Sequence, residues 1–337
     1  MRTISEKFFP FLNIREDEWK VIQAVEDSLT ISEVVKKSGL PPYTVSRLLS
    51  QFNVSKNVSL RFEIKLEKAG LLNIAVISKK YIEKLPYYES TRELRIMGGR
   101  YYLYVGLLPV ANEVIENWLS NFEDNALVVR AVKRAWWSPK SKLTMYTNGK
   151  LYGKIPEIYL QKGEKERGPQ LSLSEKNILL DDVDLLILSM KFKWPFSSMR
   201  EAERESEKYF EKKVPRRVLS KHFKDHLLNL WEGNRVRVYD KLDSTPYKVI
   251  YVEGRDAYAV ANTLVQLPWF HTAYIDLSKA LVSGQPPCAA MPELYRALGD
   301  LDIDAIEFTM IPGIVKVTPL LYLLREVVKL QKEVEVK

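Results

Sequence analysis

Six cations crowd one short stretch of this chain: Lys212, Lys213, Arg216, Arg217, Lys221 and Lys224, with no acidic residue before Asp225. On a helix opened by Pro215 they project from the side opposite Val218, Phe223 and Leu227, with Ser220 among them. Such a face can neutralise phosphates and read base edges in a major groove. A solvated lysine face is the plain alternative. His222 and His226 lie four apart in the same stretch, a metal-ligand spacing. No cysteine or third histidine is at hand, and Lys221 and Lys224 repel a cation. The expectation is therefore polar residues near DNA or a phosphate, with no metal and no cofactor. Cys288, in an apolar run after Pro286-Pro287, reads as a small buried hydrophobe, and Trp136-Trp137 as core. Asp300, Asp302 and Asp304 lack the glycine and terminal glutamate of a calcium loop, and Gly98-Gly99-Arg100 lacks the lysine of a phosphate loop. No catalytic triad can be assembled, so no enzyme is expected.

These side chains need a scaffold, and the composition describes a folded one. The chain has 337 residues, 46% hydrophobic, 28% charged and 11% aromatic, enough for two or more cores and too apolar for disorder. No stretch approaches the ~20 uncharged residues of a membrane span. The opening MRTISEKFFPFLNIREDEW lacks the apolar run and cleavage site of a secretory signal, so a cytoplasmic protein is expected. One cysteine excludes an intrachain disulfide. Lys plus Arg number 51 against 43 Asp plus Glu, a net charge of +8 that suits a polyanion partner.

The order of elements repeats. In the first copy, Trp19, Ile22, Val25 and Leu29 form a helical stripe, a second helix follows Thr30, and Gly39 ends it. A third helix opens at Pro41-Pro42 and turns Tyr43, Thr44, Ser46, Arg47 and Ser50 outward. Val58–Lys65 alternates Leu60, Phe62 and Ile64 with Arg61, Glu63 and Lys65, as a half-buried wing strand does. Strand, helix, strand, strand, helix, strand then follow, a ferredoxin-like pattern whose first helix is placed near Ser78–Leu85. Residues 147–175 read as a connector with one strand. The second copy opens at LDDVDLLIL, with Ser197-Ser198 capping its second helix and Arg235–Tyr239 as its wing. A strand at Cys288–Met291 is expected within its ferredoxin-like part, and a last helix follows at Leu320–Glu333. The class is α+β: winged helix-turn-helix units at 13–66 and 176–243, ferredoxin-like units at 70–146 and 246–312, and a C-terminal helix at 318–335.

The phrase GLPPYTVSRLLSQF resembles the reading helix of the leucine-responsive (Lrp/AsnC) transcription regulators, and LDDVDLLIL resembles that family's opening helix. RFEIKLEKAGL resembles its hinge, with Gly70 at the hinge glycine, and IMGGRYYLYVGL the turn and strand of its RAM (ACT-like) effector domain. Tyr102 departs from the family, standing where it has an aspartate, and the second copy has a stretched turn between its second and third helices. The resemblance implies a prokaryotic, sequence-specific regulator of double-stranded DNA, here a tandem duplication whose two effector domains pair within one chain. Specificity would come from Ser46, Arg47, Ser50, Arg216, Arg217 and Ser220. Backbone contacts would come from Lys56, Arg61, Arg235 and Arg237 in the wings. A monomeric pseudo-dimer or a homodimer is expected, with an amino acid as a possible effector. The alternatives are an architectural DNA-coating protein and a ligand-sensing or protein-interaction module.

Overall fold

The structure is a computed structural model that describes residues 7–54, 57–155, 178–299 and 301–335, with backbone alone for 313–315 and 335. Lys56, Asp300 and most of the expected connector lie outside the described residues. The class is α+β, as the two alternating periodicities imply. Three helices open the chain after a strand: β1 (Phe8–Asn13), α1 (Glu16–Val25), α2 (Ile31–Ser38) and α3 (Pro42–Val54). The Thr30 hydroxyl accepts from the Glu33 amide and so caps α2, while Gly39 ends it in the left-handed conformation at φ 68°. Thr30→Ala is expected to cost about 1 kcal/mol in urea unfolding.

The second set of helices is α5 (Asp182–Lys193), α6 (Met199–Phe210) and α7 (Arg216–His222), the last running on through a π-helical segment (Phe223–Leu227) into the short α8 (Leu228–Leu230); α4 (Asn112–Leu119) lies between the two sets. Asp181 and Ser198 cap α5 and α6, each with an acid three residues on that bonds back to the cap amide.

Nine strands form one sheet: β6 (Leu127–Ala131), β3 (Leu71–Ser78), β5 (Gly99–Pro109), β4 (Tyr88–Ile96), β14 (Ile303–Val317), β11 (Lys248–Gly254), β13 (Lys279–Gly284), β12 (Phe270–Ile275) and β7 (Lys133–Ala135), in that spatial order. The two ends of the order, β6 and β7, are consecutive in the chain, so the sheet curls until its edges meet at Val132. Alternation along β3 shows both faces: Ala75 and Ile77 enter the apolar interior with Leu103, Val249 and Phe308, while Ile74 and Val76 pack outward on α4 through Ile115 and Trp118. The other outer stretch is covered by α9 (Ala257–Leu264) and α10 (Met291–Gly299). The C-terminal α11 (Leu320–Glu335) packs on α5, and Gln331 donates to the Ala69 carbonyl at 3.1 Å.

Several expectations differ from the structure. No helix forms near Ser78–Leu85; Glu123 holds that stretch as a turn, accepting from the Ser78 hydroxyl and the Lys79 amide. Cys288–Ala290 is a 3-10 turn and not a strand, because Pro286 and Pro287 have no amide to offer a sheet. That turn leaves Cys288 exposed. At the start of the expected connector, β8 (Thr144–Thr147) and β9 (Lys150–Lys154) form a hairpin in which β9 pairs with β1, an N-terminal strand not foreseen. Trp137 is buried, its indole donating to the Thr144 hydroxyl at 2.8 Å.

The wing strands hold the main surprise. β2 (Val58–Ile64) pairs antiparallel with β10 (Trp231–Val238), Arg61 directly opposite Arg235. The ribbon they make belongs to both helical sets. Phe62 and Ile64 of β2 sit in the core around α5 and α7, whereas Val236 and Val238 of β10 sit in the core around α1 and α3. Asn234 fixes the crossing, its side-chain amide donating to the Val25 and Ser28 carbonyls at the end of α1.

Candidate functional site

Strand alternation puts Arg61, Glu63, Arg235 and Arg237 on one face of the ribbon, opposite its apolar face. Two like charges face each other across the pair, an arrangement that costs stability unless counter-charges intervene. Glu63 intervenes from the middle of the ribbon. It is fully buried, pairs with Arg134 of β7, touches Arg235 at 2.7 Å, and has Arg61 at 3.6 Å. Burial opposes its ionisation, yet Arg134 and Arg235 prevail and hold it below the usual carboxylate range. The sheet supplies the second acid. Glu89 sits where the β4–β5 register shifts and accepts from Arg61 at 2.7 Å. Burial opposes that charge too, but Arg61 and Arg134 bring it down to about 2.

Two guanidiniums of this cluster have no carboxylate partner among the described residues. Arg237 donates to the Thr272 hydroxyl at 3.2 Å and to the Tyr239 hydroxyl at 3.5 Å, and its Nε is unpaired. Arg92 of β4, half-buried, has no hydrogen-bond or ion-pair partner among the described residues. Burial lowers its pKa, and the charge of Arg237 lowers it further. Arg235 is lowered to about 9 by burial and by Arg237, and so stays charged at neutral pH. Arg61, Arg92, Arg134, Arg235 and Arg237 thus gather around Glu63 and Glu89 with positive charge in excess.

His271 and Tyr247 stand beside Arg237. A β-bulge between Phe270 and Thr272 turns His271 toward the ribbon, and bulges are a common means of aiming a functional side chain. The bulge requires Gly284 opposite, where a Cβ would lie 2.0 Å from the Trp269 carbonyl oxygen. His271 Nε2 donates to the Val238 carbonyl at 2.8 Å, which leaves Nδ1 to accept from the Tyr247 hydroxyl at 3.3 Å. Burial, aided by Arg237, pushes His271 down to about 3, so it is neutral. Burial also raises Tyr247, which keeps its proton. A cluster of this kind can clamp carboxylates with Arg92 and Arg237 and deliver a proton from Tyr247.

Sequence reasoning placed Arg61, Arg235 and Arg237 on DNA. The structure turns them inward, because the two wings pair with each other. Tyr43, Ser46 and Ser50 of α3 are exposed, while Thr44 and Arg47 are half-buried, Arg47 lying 3.8 Å from Asp17. Lys212, Lys213, Arg216, Arg217, Lys221 and Lys224 are exposed around α7, and Ser220 is half-buried. Arg92, Arg134, Glu63, Glu89, Tyr239, Tyr247, His271 and Thr272 were missed as a site because they come from separate strands and loops. One signal was available: each wing carries charges two residues apart opposite an apolar face, so both faces needed cover.

No family model and no curated protein matches the chain. Among solved structures it is similar to the siroheme decarboxylase NirDL, with a TM-score of 0.48 and 11% identity over 94% of this chain and 100% of that one. It is similar to the same enzyme in complex with an iron-uroporphyrin III analogue, at a TM-score of 0.47 and 10% identity over 94% and 99% of the two chains. An anthrone oxidase-like protein shares less, with a TM-score of 0.29 over 75% of this chain. Two expectations are corrected, that of a DNA-binding regulator and that of a chain without enzymatic activity: the first two of these solved structures are named for a decarboxylase, and the strands expected as DNA-contacting wings pair with each other. No helix among the described residues is long and apolar enough to cross a membrane.

Proposed function

We propose that the arginine cluster between the β2–β10 ribbon and the sheet is the active site of an enzyme acting on a small organic substrate with several carboxylates. The observation that carries this reading is the pair Arg92 and Arg237, guanidiniums without carboxylate partners in a cluster already in positive excess. Guanidiniums held this way are pre-organised for bidentate carboxylate binding. Arg61, Arg134 and Arg235 raise the potential around them, and Glu63 and Glu89 balance part of that charge.

The reaction we assign is loss of one carboxylate with proton replacement. The C–C bond to that carboxylate breaks, CO2 leaves, and the electron pair left on carbon takes a proton from the Tyr247 hydroxyl. His271 holds that hydroxyl through Nδ1, and solvent returns the proton. The neighbours named for a decarboxylase are distant in sequence, and the assignment rests on a proton donor beside a carboxylate clamp. Around the cluster, we read the chain as two winged-helix units and two ferredoxin-like units in tandem, in the manner of the Lrp/AsnC fold.

Titration calorimetry with polycarboxylates graded from tricarballylate to uroporphyrin III tests the reading. Affinity is expected to rise with the number of carboxylates and to fall about 100-fold or more in the Arg92→Ala/Arg237→Ala double variant, two charge-assisted contacts at about 1.5–3 kcal/mol each. No binding by any member, or equal binding by the variant, would overturn it.

A further inference from the structure

A second cluster lies among the helices of the second set, away from the arginine cluster. Asp184 stands one turn inside α5, completely buried, and its two carboxylate oxygens face two histidines. Oδ1 is 3.2 Å from His222 Nδ1, and Oδ2 is 2.8 Å from His226 Nδ1. Asp181, the cap residue of α5, places its Oδ1 3.5 Å from the same His222 nitrogen. One donor atom from each of Asp184, His222 and His226 falls within a sphere where all lie within 4.8 Å of one another.

The chain builds this grouping locally. The two histidines straddle the start of the π-helical segment Phe223–Leu227, where a widened turn leaves both rings on the side facing α5, their centroids 5.3 Å apart. Inserted π turns recur at functional sites. Both imidazoles remain partly open to solvent, with side chains 20% and 37% exposed, so an ion and its water can enter. Lys221 and Lys224 are on the same helix, but they are exposed, and the two aspartates at the cluster offset a dication.

We propose that Asp184, His222 and His226 bind a divalent transition metal ion of the Zn2+ class, with Asp181 available as a fourth ligand. Two imidazole nitrogens with carboxylate oxygen suit such an ion and not Ca2+ or Mg2+, which take oxygen alone. The ion would displace the Nδ1 protons and tie α7 to the start of α5, bracing the helix that carries Arg216 and Arg217. The proposal does not depend on the function of the arginine cluster.

The test is calorimetric titration of the full chain with ZnSO4 after chelator treatment, alongside Co2+ absorption spectroscopy. One equivalent is expected to bind, Co2+ is expected to show the intense visible bands of a low-coordinate nitrogen–oxygen site, and Zn2+ is expected to raise the unfolding midpoint. The His222→Gln/His226→Gln variant, altered at partly exposed positions that the fold tolerates, should lose affinity by about 100-fold or more. No uptake by the parent chain, undiminished uptake by this variant, or a six-coordinate Co2+ spectrum overturns the proposal.

Discussion

Glu63→Ala should destabilise the protein by about 3–5 kcal/mol, measured as the midpoint shift in urea at neutral pH. Glu63 is the shared counter-charge of Arg134, Arg235 and Arg61, and it is fully buried at the centre of the β2–β10 ribbon. Its loss leaves Arg61 and Arg235 opposed across the ribbon, with Glu89 the acid still paired to Arg61. Removing one partner of a buried ion cluster costs more than the cluster contributes as a whole, because the remaining charges stay desolvated. Glu63→Ala combined with Arg235→Leu should therefore recover much of the loss. A polycarboxylate that enters the cluster should stabilise Glu63→Ala more than the parent chain. A shift below about 1 kcal/mol would mean that water reaches these charges and that the ribbon is not sealed.

His271 should make the fold lose stability with acid at a pH well above that at which Glu89 protonates. Its folded pKa of about 3 lies below the ordinary histidine value of about 6.5. Between those values the unfolded chain takes up a proton that the folded chain refuses, so stability falls as pH falls. One proton corresponds to a slope of about 1.4 kcal/mol per pH unit. Glu89 acts in a lower window: its depressed pKa of about 2 supplies stability present above about 4.3, which is lost as pH falls toward 2. Between pH 5 and 6.5 Glu232, pushed up to about 7 by burial, works in the opposite sense, so His271 is read from the difference between the parent chain and a His271 variant in urea unfolding. His271→Gln should flatten the slope there by up to one proton, and an unchanged slope would show that His271 is hydrated or charged in the fold.

Much of the local structure was legible. The Thr30 cap, the Gly39 stop, the paired acids at the start of α5, the Ser198 cap and the alternation along β2 each follow from interactions within a few residues. The basic face of α7 was also plain. The metal cluster shows where legibility stops: His222 and His226 announced a spacing, but Asp184, their nearest acid in space, lies 38 and 42 residues earlier in the chain. The arginine cluster goes further, drawing on β2, β4, β7, β10 and β12 at once.

The sequence by itself determined the α+β class, most of the elements and a surplus of positive charge, because propensity, capping and hydrophobic period act over one or two turns. The tertiary structure alone decided where part of that surplus sits. Once the two wings bond to each other, backbone hydrogen bonding and shared cores turn Arg61, Arg235 and Arg237 from the solvent into the molecule. There Glu63 and Glu89 pair Arg61 and Arg235 while Arg237 meets only hydroxyls, and no pattern of spacing along the chain records that meeting.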